Sequence, residues 1–203
     1  MNTDINSPSK VDLGSRRLII GISGASGVIL GIRTLEILKQ ITNVETHLVI
    51  SSAAKVTIVQ ETDFAVSDVV ALADFNYSIQ DIGATIASGS FKSMGMLIVP
   101  CSIKTLSSVA NSFAADLMTR AADVTLKEGR PLILVVRETP LHAGHLRLMM
   151  QVVESGGIIF PPLPAFYPIP QTVDNIVDNL VGRLLARIGI ENDKYMKWEG
   201  MTR

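Results

Sequence analysis

Residues 17–31 constrain the fold of this chain more than any other segment. An apolar run at residues 18–22 ends in a turn of small residues at 23–27, and a helical pattern follows from about 28 to 40. This order predicts a buried strand, a tight loop and a helix whose first backbone N–H groups face an anion. Glycine permits positive φ in such a loop, and the hydroxyls of Ser23 and Ser26 can donate to phosphate or cap the helix. The first hypothesis is therefore a phosphate-bearing ligand; the alternative is a turn that serves packing alone.

Further apolar runs predict more strands, separated by helical patterns. The strands are predicted at residues 45–50, 95–100, 132–136 and 157–160, and the helices at about 53–60, 105–111, 114–127, 142–154 and 172–188. Residues 74–81 are predicted to form a loop. Alternating strands and helices favour parallel pairing through right-handed crossovers. We therefore expect an α/β fold, with a Rossmann-like or flavodoxin-like parallel sheet and helices on both faces.

Small or polar residues follow four of the predicted strands. They are residues 23–27, Ser51, residues 102–105 and the pair Arg137 and Glu138. Ligands of parallel sheets bind beyond the carboxyl ends of the strands. The sequence therefore predicts one site at that edge, built from four separate segments.

Composition bounds the class of protein. The 203 residues predict a single domain at 17–203 behind a flexible tail at 1–16. With 47% hydrophobic and only 18% charged residues, we expect part of the surface to be covered in a homo-oligomer. The polar N-terminus predicts neither a signal peptide nor an anchor, and no apolar stretch has the length of a membrane span. Cys101 is the one cysteine, which excludes an internal disulfide and fits a reducing compartment, so we expect a cytoplasmic protein. A net charge of −1 gives no electrostatic attraction to nucleic acid, so we expect no nucleic-acid partner.

Known nucleotide motifs narrow the choice of ligand. Gly21, Gly24 and Gly27 do not match the GxGxxG fingerprint, and Ser51 stands where a dinucleotide site would place an acidic residue. The sequence also lacks GxxxxGK[ST] and the GxSxG of an esterase nucleophile. A mononucleotide with one phosphate fits better, and flavin mononucleotide (FMN) is the natural candidate for a flavodoxin-like sheet.

Several motifs in a fixed order carry a family resemblance that spans residues 17–200. They are GASG at 24–27, ETD at 61–63, ASGS at 87–90, PCS at 100–102, RAADVTLKE at 120–128, RETP at 137–140, PAFY at 164–167, and Trp198. The chain resembles the UbiX-type flavin prenyltransferases. That resemblance implies a single FMN-binding domain that transfers a dimethylallyl group from dimethylallyl monophosphate to N5 and C6 of reduced FMN. It also implies a product used by a UbiD-type decarboxylase, and a homo-oligomer, typically a dodecamer, with the site at subunit contacts.

The resemblance also implies roles for individual residues. The FMN-binding residues are Gly24, Ala25, Ser26, Ser51, Ser102, Thr105 and Arg137. The donor-binding residues are Ala87, Ser88, Gly89, Arg120, Lys127, Tyr167 and Arg183. The catalytic residues are Ser26 beside the reacting flavin atoms, Glu61 for the proton at C6, Lys127 at the donor phosphate, Glu138 as acid for the leaving phosphate, and Trp198 as an aromatic face for the cation.

Two departures from the family pattern accompany these matches. Lys104 brings a cation near the presumed flavin, and Gly129 replaces a frequent arginine, which puts a subunit contact in doubt. We expect no metal site, because the sequence has no aspartate-rich cluster and the pair His142 and His145 lacks acidic or cysteine partners.

Structural explanations stand beside these functional ones. Arg120 and Lys127 are seven residues apart, so they share one helix face and could form a solvated surface. Tyr167 and Trp198 could be packing aromatics, and Cys101 and His47 could be buried structural residues.

Two other functions compete with prenyl transfer. A flavin-dependent cysteine decarboxylase-like enzyme would carry a histidine on the helix after the second strand and a PxMNxxMW motif, neither of which this sequence has. An FMN carrier or accessory subunit of an aromatic-acid decarboxylase would need the same flavin pocket. Glu61, Lys127, Glu138 and Tyr167 favour catalysis over carriage.

Overall fold

The chain folds around a parallel sheet, seen in a computed structural model that describes residues 16–41, 43–198 and 200. Within these residues six strands pair in the order β3-β2-β1-β4-β5-β6, every neighbouring pair being parallel. They are β1 (Arg16–Ile22), β2 (Val44–Ile50), β3 (Phe75–Tyr77), β4 (Gly95–Cys101), β5 (Leu132–Val136) and β6 (Ile158–Ile159). The predicted parallel α/β sheet is confirmed.

Helices cover both faces of the sheet. They are α1 (Val28–Lys39), α2 (Ser52–Glu61), α3 (Val66–Val70), α4 (Ile103–Ala110), α5 (Leu117–Lys127), α6 (Ala143–Glu154) and α7 (Val173–Arg187). One core joins alternate residues of β1, such as Leu18 and Ile20, to α1 and α7. The opposite core joins Ile19 to α4, α5 and α6. Because both faces are covered, the central strands are apolar along almost their whole length.

Two predictions about local structure are wrong, and one short helix was not predicted. Residues 75–77 were predicted to be loop but form the edge strand β3, where Phe75 stacks on His47 of β2 with ring centroids 4.9 Å apart. The short helix α3 was not predicted. Helix α5 begins at Leu117 rather than near residue 114, because the Asp116 carboxylate caps it by accepting the Thr119 N–H at 2.8 Å.

The predicted tail lies almost entirely outside the described residues, which begin at Arg16. That residue already belongs to β1, where it pairs with Val44. Among the helices in the described part of the chain, none is long and apolar enough to cross a membrane.

Candidate functional site

A cleft of about 670 Å³ opens at the carboxyl edge of the sheet. It is lined by the ends of β1, β2 and β4, by residues after β3, and by the start of α5. The lining residues are Gly24, Ser51, Ser52, Ala53, Ile79, Gln80, Ile82, Ser102, Lys104, Thr105, Ser108, Phe113, Ala115, Asp116 and Met118. Four predicted FMN-binding residues, namely Gly24, Ser51, Ser102 and Thr105, therefore share one cleft of a size typical for small-molecule sites.

Ser23 joins the two strands that carry the centre of this cleft. Its side chain is 1% exposed, donates to the Pro100 carbonyl at 3.0 Å and accepts the Ser102 N–H at 2.7 Å. The suggestion that its hydroxyl donates to phosphate is therefore wrong, because the proton is already used inside the protein. Ser23 instead fixes the loop after β1 to the loop after β4.

Two helices begin at the cleft with serine caps. The Ser51 hydroxyl accepts the Ala54 N–H at 3.1 Å, and the Ser102 hydroxyl accepts the Thr105 N–H at 3.3 Å. The Ser51 hydroxyl acts as acceptor in its cap and keeps a proton that can be donated, and the Ser102 and Thr105 hydroxyls lie 3.1 Å apart in a hydrogen bond that leaves one of their two protons to donate. Free N–H groups at a helix start also favour an anion. The donor groups here therefore fit the phosphate of a mononucleotide.

Glu61 lies beside the small-residue turn although 34 positions separate it from Gly27. Its Oε2 accepts the Gly27 N–H at 2.8 Å, at the start of α1. Gly27 has φ of 94°, a left-handed conformation that brings this N–H to face α2. The structure thus brings the predicted catalytic residues Ser26 and Glu61 to the same corner of the carboxyl edge.

Arg137 and Glu138 extend the same edge beyond β5. The Arg137 backbone N–H donates to the Cys101 carbonyl at 3.1 Å, which ties the end of β5 to the end of β4. Both side chains are exposed, and the Glu138 carboxylate accepts the Thr139 N–H at 3.0 Å. Their charges therefore face outward from this chain rather than into a closed pocket.

A second group of predicted residues lies along α5, from Arg120 in its first turn to Lys127 at the amino edge of the sheet. The Arg120 Nε donates to the Ala87 carbonyl at 3.3 Å, and a Cβ added at Gly89 would lie 2.8 Å from the Lys127 Nζ. Lys127 forms an ion pair with Glu128. The hydrogen bond from the Lys127 ammonium and its positive charge lower the pKa of the Glu128 carboxyl. We name Ala87, Ser88, Gly89, Arg120 and Lys127 the amino-edge cluster.

Helix α5 separates Lys127, the far end of that cluster, from the cleft. Asp116, at its start, lines the cleft, whereas Lys127 is its last residue and precedes the start of β5 by five positions. A helix of 11 residues is about 16 Å long at its usual rise per residue. One copy of the chain therefore does not bring Lys127 to its own flavin cleft.

Tyr167 and Trp198 form a third group beside α7. Their rings meet edge to face with centroids 5.4 Å apart, and the Tyr167 hydroxyl donates to the Met196 carbonyl at 2.9 Å. Trp198 is 59% exposed, and Arg183 lies exposed on α7. None of the three is among the residues that line the cleft of the same chain.

The remaining candidates have structural explanations. Cys101 is fully buried, and burial raises the pKa of its thiol, so it is not a nucleophile here. His142 caps α6 by accepting the Gly144 N–H at 3.0 Å, and its ring packs against the tilted ring of His145. In the portion of the chain that the structure describes, no group of three His, Cys, Asp or Glu could hold a metal.

Several residues that line the cleft were not predicted from the sequence, because they do not directly follow a predicted strand. Ile79, Gln80 and Ile82 follow the edge strand that was predicted to be loop, and Phe113 precedes α5. The one available signal was Asp116 followed three positions later by Thr119, a capping pattern that places the start of α5.

Comparisons with known proteins agree with this architecture. The family model described as Flavoprotein matches residues 6–184. The flavin prenyltransferase UbiX of Escherichia coli K12 is 54% identical over 187 residues, covering 91% of this chain and 99% of that protein. The mitochondrial flavin prenyltransferase PAD1 of Saccharomyces cerevisiae is 49% identical, covering 92% of this chain and 76% of that protein.

Solved structures are similar over the same length. AnUbiX (PadA1), in complex with FMN and dimethylallyl pyrophosphate, superposes with a TM-score of 0.90 at 46% identity, covering 92% of this chain and 99% of that one. A dodecameric FMN-dependent Ubix-like decarboxylase from Escherichia coli O157:H7 superposes with a TM-score of 0.89 at 48% identity, covering 91% of this chain and all of that one.

Proposed function

This chain belongs to the UbiX-type flavin prenyltransferases of the Flavoprotein family, and on that premise we propose that it transfers a dimethylallyl group from dimethylallyl monophosphate to reduced FMN. The allylic C–O bond of the donor breaks and phosphate leaves as a C–N bond replaces the N5–H bond. Ring closure then uses the prenyl C=C bond to form the bond to C6, with one proton taken up by the prenyl group and one lost from C6. The observation that carries the proposal is the cleft in which Gly24, Ser51, Ser102 and Thr105 meet at two helix starts. Ser26 and Glu61 lie at the same edge of the sheet.

Each part of the cleft has a task in this reaction. FMN supplies the two nucleophilic ring atoms when it is bound. The serine hydroxyls and helix starts hold its phosphate, and the Gly27 N–H keeps the Glu61 carboxylate fixed for a proton transfer. Arg137 lies at the same edge to contact the flavin, and Glu138 beside it is the acid for the departing phosphate.

The cationic charge for the donor phosphate comes from Arg120, Lys127 and Arg183. Fixed cations at a leaving phosphate stabilise the charge that develops as the C–O bond breaks. Tyr167 adds a hydroxyl, and Trp198 offers an aromatic face for the allylic cation. Ala87, Ser88 and Gly89 line the donor beside Lys127.

We place the complete active site between copies of the chain. The cleft is at the carboxyl edge, and Lys127 is the length of α5 away at the amino edge. Lys127 can therefore reach a flavin only in the cleft of a second copy. Exposed apolar side chains, including Val59, Met150 and Phe166, supply surface for such an assembly. A dodecamer is the proposed size, as in the similar structure from Escherichia coli O157:H7.

The product, prenylated FMN, is proposed to serve a UbiD-type decarboxylase as its cofactor. The predicted location remains the cytoplasm, a reducing compartment that suits a chain with one unpaired cysteine.

Anaerobic incubation with reduced FMN and dimethylallyl monophosphate, without added metal, tests the activity. Mass spectrometry of the released flavin should show a gain of one C5H8 unit. A parallel reaction with dimethylallyl diphosphate establishes which donor is used. Unmodified FMN recovered with both donors from flavin-saturated protein would contradict the proposal and favour an FMN carrier.

A further inference from the structure

The segment at residues 85–91 runs alongside α5 and is held at several points. The Tyr77 hydroxyl lies 3.3 Å from the Thr85 hydroxyl, and Arg120 donates to the Ala87 carbonyl. At the far end, the Phe91 ring packs edge-on against His47, with ring centroids 4.8 Å apart. The segment contains Ala87, Ser88 and Gly89, so its position decides where the proposed donor site lies.

Arg130 makes the most extensive attachment to this segment. One guanidinium nitrogen, Nη2, donates to the Gly89 carbonyl at 2.8 Å, and the other, Nη1, donates to the Phe91 carbonyl at 2.5 Å. The planar fork of arginine matches two acceptors on alternate residues, which the single ammonium of lysine cannot reproduce. Arg130 therefore fixes both the position and the orientation of the backbone around Gly89.

Gly129 directs Arg130 toward that segment. It has φ of 65°, the left-handed conformation that ends a helix, and its N–H donates to the Leu126 carbonyl at 2.9 Å. The Arg130 N–H donates to the Thr125 carbonyl, also at 2.9 Å, which completes a Schellman motif. Gly129, the departure from the family pattern, therefore ends α5 and sets the direction in which the backbone leaves the helix.

The segment and Lys127 are in close contact at Gly89. A side chain at this position would overlap the Glu128 carboxylate and approach the Lys127 ammonium. Any shift of the Gly89 backbone therefore changes the space around the Lys127 Nζ, which the proposed function assigns to the donor phosphate.

We propose that Arg130 is a positioning residue for the donor: through its paired hydrogen bonds to the Gly89 and Phe91 carbonyls it sets the backbone of residues 87–89 against the Lys127 ammonium. This inference rests on the proposed function and adds to it a residue that does not itself touch either substrate. Arg130 acts on donor binding and not on the flavin cleft, because its two acceptors lie at the amino edge.

Steady-state kinetics of full-length Arg130→Ala and Arg130→Lys, with dimethylallyl monophosphate as the varied substrate, test the proposal. We expect Arg130→Ala to raise KM for the donor about tenfold, the factor expected for a lost hydrogen bond to a charged group. The affinity for FMN should stay within about twofold. Arg130→Lys should recover only part of the loss, since the ammonium on its flexible stem lacks the rigid planar fork that holds both carbonyls in a fixed position.

Arg16→Ala is the matched control, because Arg16 also donates to a backbone carbonyl near this edge, that of Gly189 at 2.7 Å, without touching residues 85–91. Its donor KM should equal that of the unmodified protein. The inference is overturned if Arg130→Ala changes KM no more than Arg16→Ala, if donor KM and FMN affinity weaken together, or if the variant loses activity only because its assembly dissociates in sedimentation. An inactive unmodified protein would instead contradict the proposed function.

Discussion

The two edges of the sheet are built in different ways. At the carboxyl edge the strand-end part of the cleft is built from backbone N–H groups and small side chains such as Gly24, Ser51 and Ser102, and the Ser23 bridge holds the ends of β1 and β4 together. Toward the amino edge, the long charged side chains of the amino-edge cluster, Arg120 and Lys127, and the neighbouring Arg130 are fixed by hydrogen bonds to carbonyls or by an ion pair. The first edge is suited to hold a ligand rigidly, and the second to supply charge.

The largest expected effect comes from removing one chemical group at each edge. Glu61→Gln keeps an oxygen for the Gly27 N–H but cannot take up a proton, and Lys127→Ala removes the ammonium. Each should lower turnover about 100-fold or more while FMN remains bound. Turnover assays and flavin titration measure the two quantities separately.

Lys39→Ala is the control for the lysine variant. Lys39 is the last residue of α1, and its ammonium donates to the Ala71 carbonyl, away from both the cleft and the amino-edge cluster. The control variant should turn over normally. If Glu61→Gln and Lys127→Ala both lose bound flavin, and turnover falls only in proportion to that loss, neither residue has a separate catalytic role and the account of the two edges is contradicted.

Gly24→Ala should break the carboxyl edge. The added Cβ would overlap the Ala53 Cβ and lie 3.2 Å from its carbonyl carbon, so the start of α2 must move. We expect a loss of about 1–3 kcal/mol in the free energy of unfolding and a clear loss of FMN affinity. Denaturant unfolding and flavin fluorescence provide the measurements. Unchanged flavin affinity would mean that Ser51 and α2 do not bind the cofactor.

Gly89→Ala is the matching change at the amino edge. Its Cβ would meet the ends of the Glu128 and Lys127 side chains, which can rotate away, so the free energy of unfolding should change by less than about 0.5 kcal/mol. The donor KM should nevertheless rise several-fold while FMN affinity holds. Gly83→Ala, whose Cβ would make only an ordinary 3.7 Å contact with Asp81, is the neutral control for both glycine variants. Equal effects of Gly83→Ala and Gly89→Ala would contradict the donor site.

The smallest effect is a pH dependence of stability that arises at His47. Burial lowers the pKa of its imidazole below the ordinary 6.5, and the hydrogen bond to Glu45 offsets this only in part. The folded protein therefore binds fewer protons here than the unfolded chain, so stability is complete above pH 6.5 and falls as the pH drops below it.

Thermal unfolding of the unmodified protein and of His47→Gln between pH 8 and pH 5 checks this sign. The variant should lose less stability toward acid than the unmodified protein. A steeper loss of stability toward acid in His47→Gln than in the unmodified protein would contradict the lowered pKa of His47.

The carboxyl edge was largely predictable from the sequence, and the amino edge was not. Apolar runs followed by small residues place Gly24, Ser51 and Ser102 at strand ends, and parallel pairing then brings them together. β3 escaped prediction because its three residues are partly exposed and its pairing depends on the distant His47. The roles of the individual site residues came from the family resemblance and remain predictions.

Arg130 gave no sequence signal because its partners are carbonyls, which every residue carries. The seven-residue spacing of Arg120 and Lys127 predicted a shared helix face but not the direction in which α5 runs. That direction separates Lys127 from the cleft of the same chain, and the proposed site therefore needs a second copy.

Subunit complementation tests this requirement most directly. Glu61→Gln and Lys127→Ala chains, carrying different affinity tags, are co-expressed, and assemblies that contain both are isolated and assayed with reduced FMN and dimethylallyl monophosphate. If each site combines the cleft of one copy with the Lys127 of another, mixed assemblies form some sites with both groups intact, and turnover should clearly exceed that of either variant alone. Mixed assemblies that stay at the activity of the separate variants would contradict a site shared between copies.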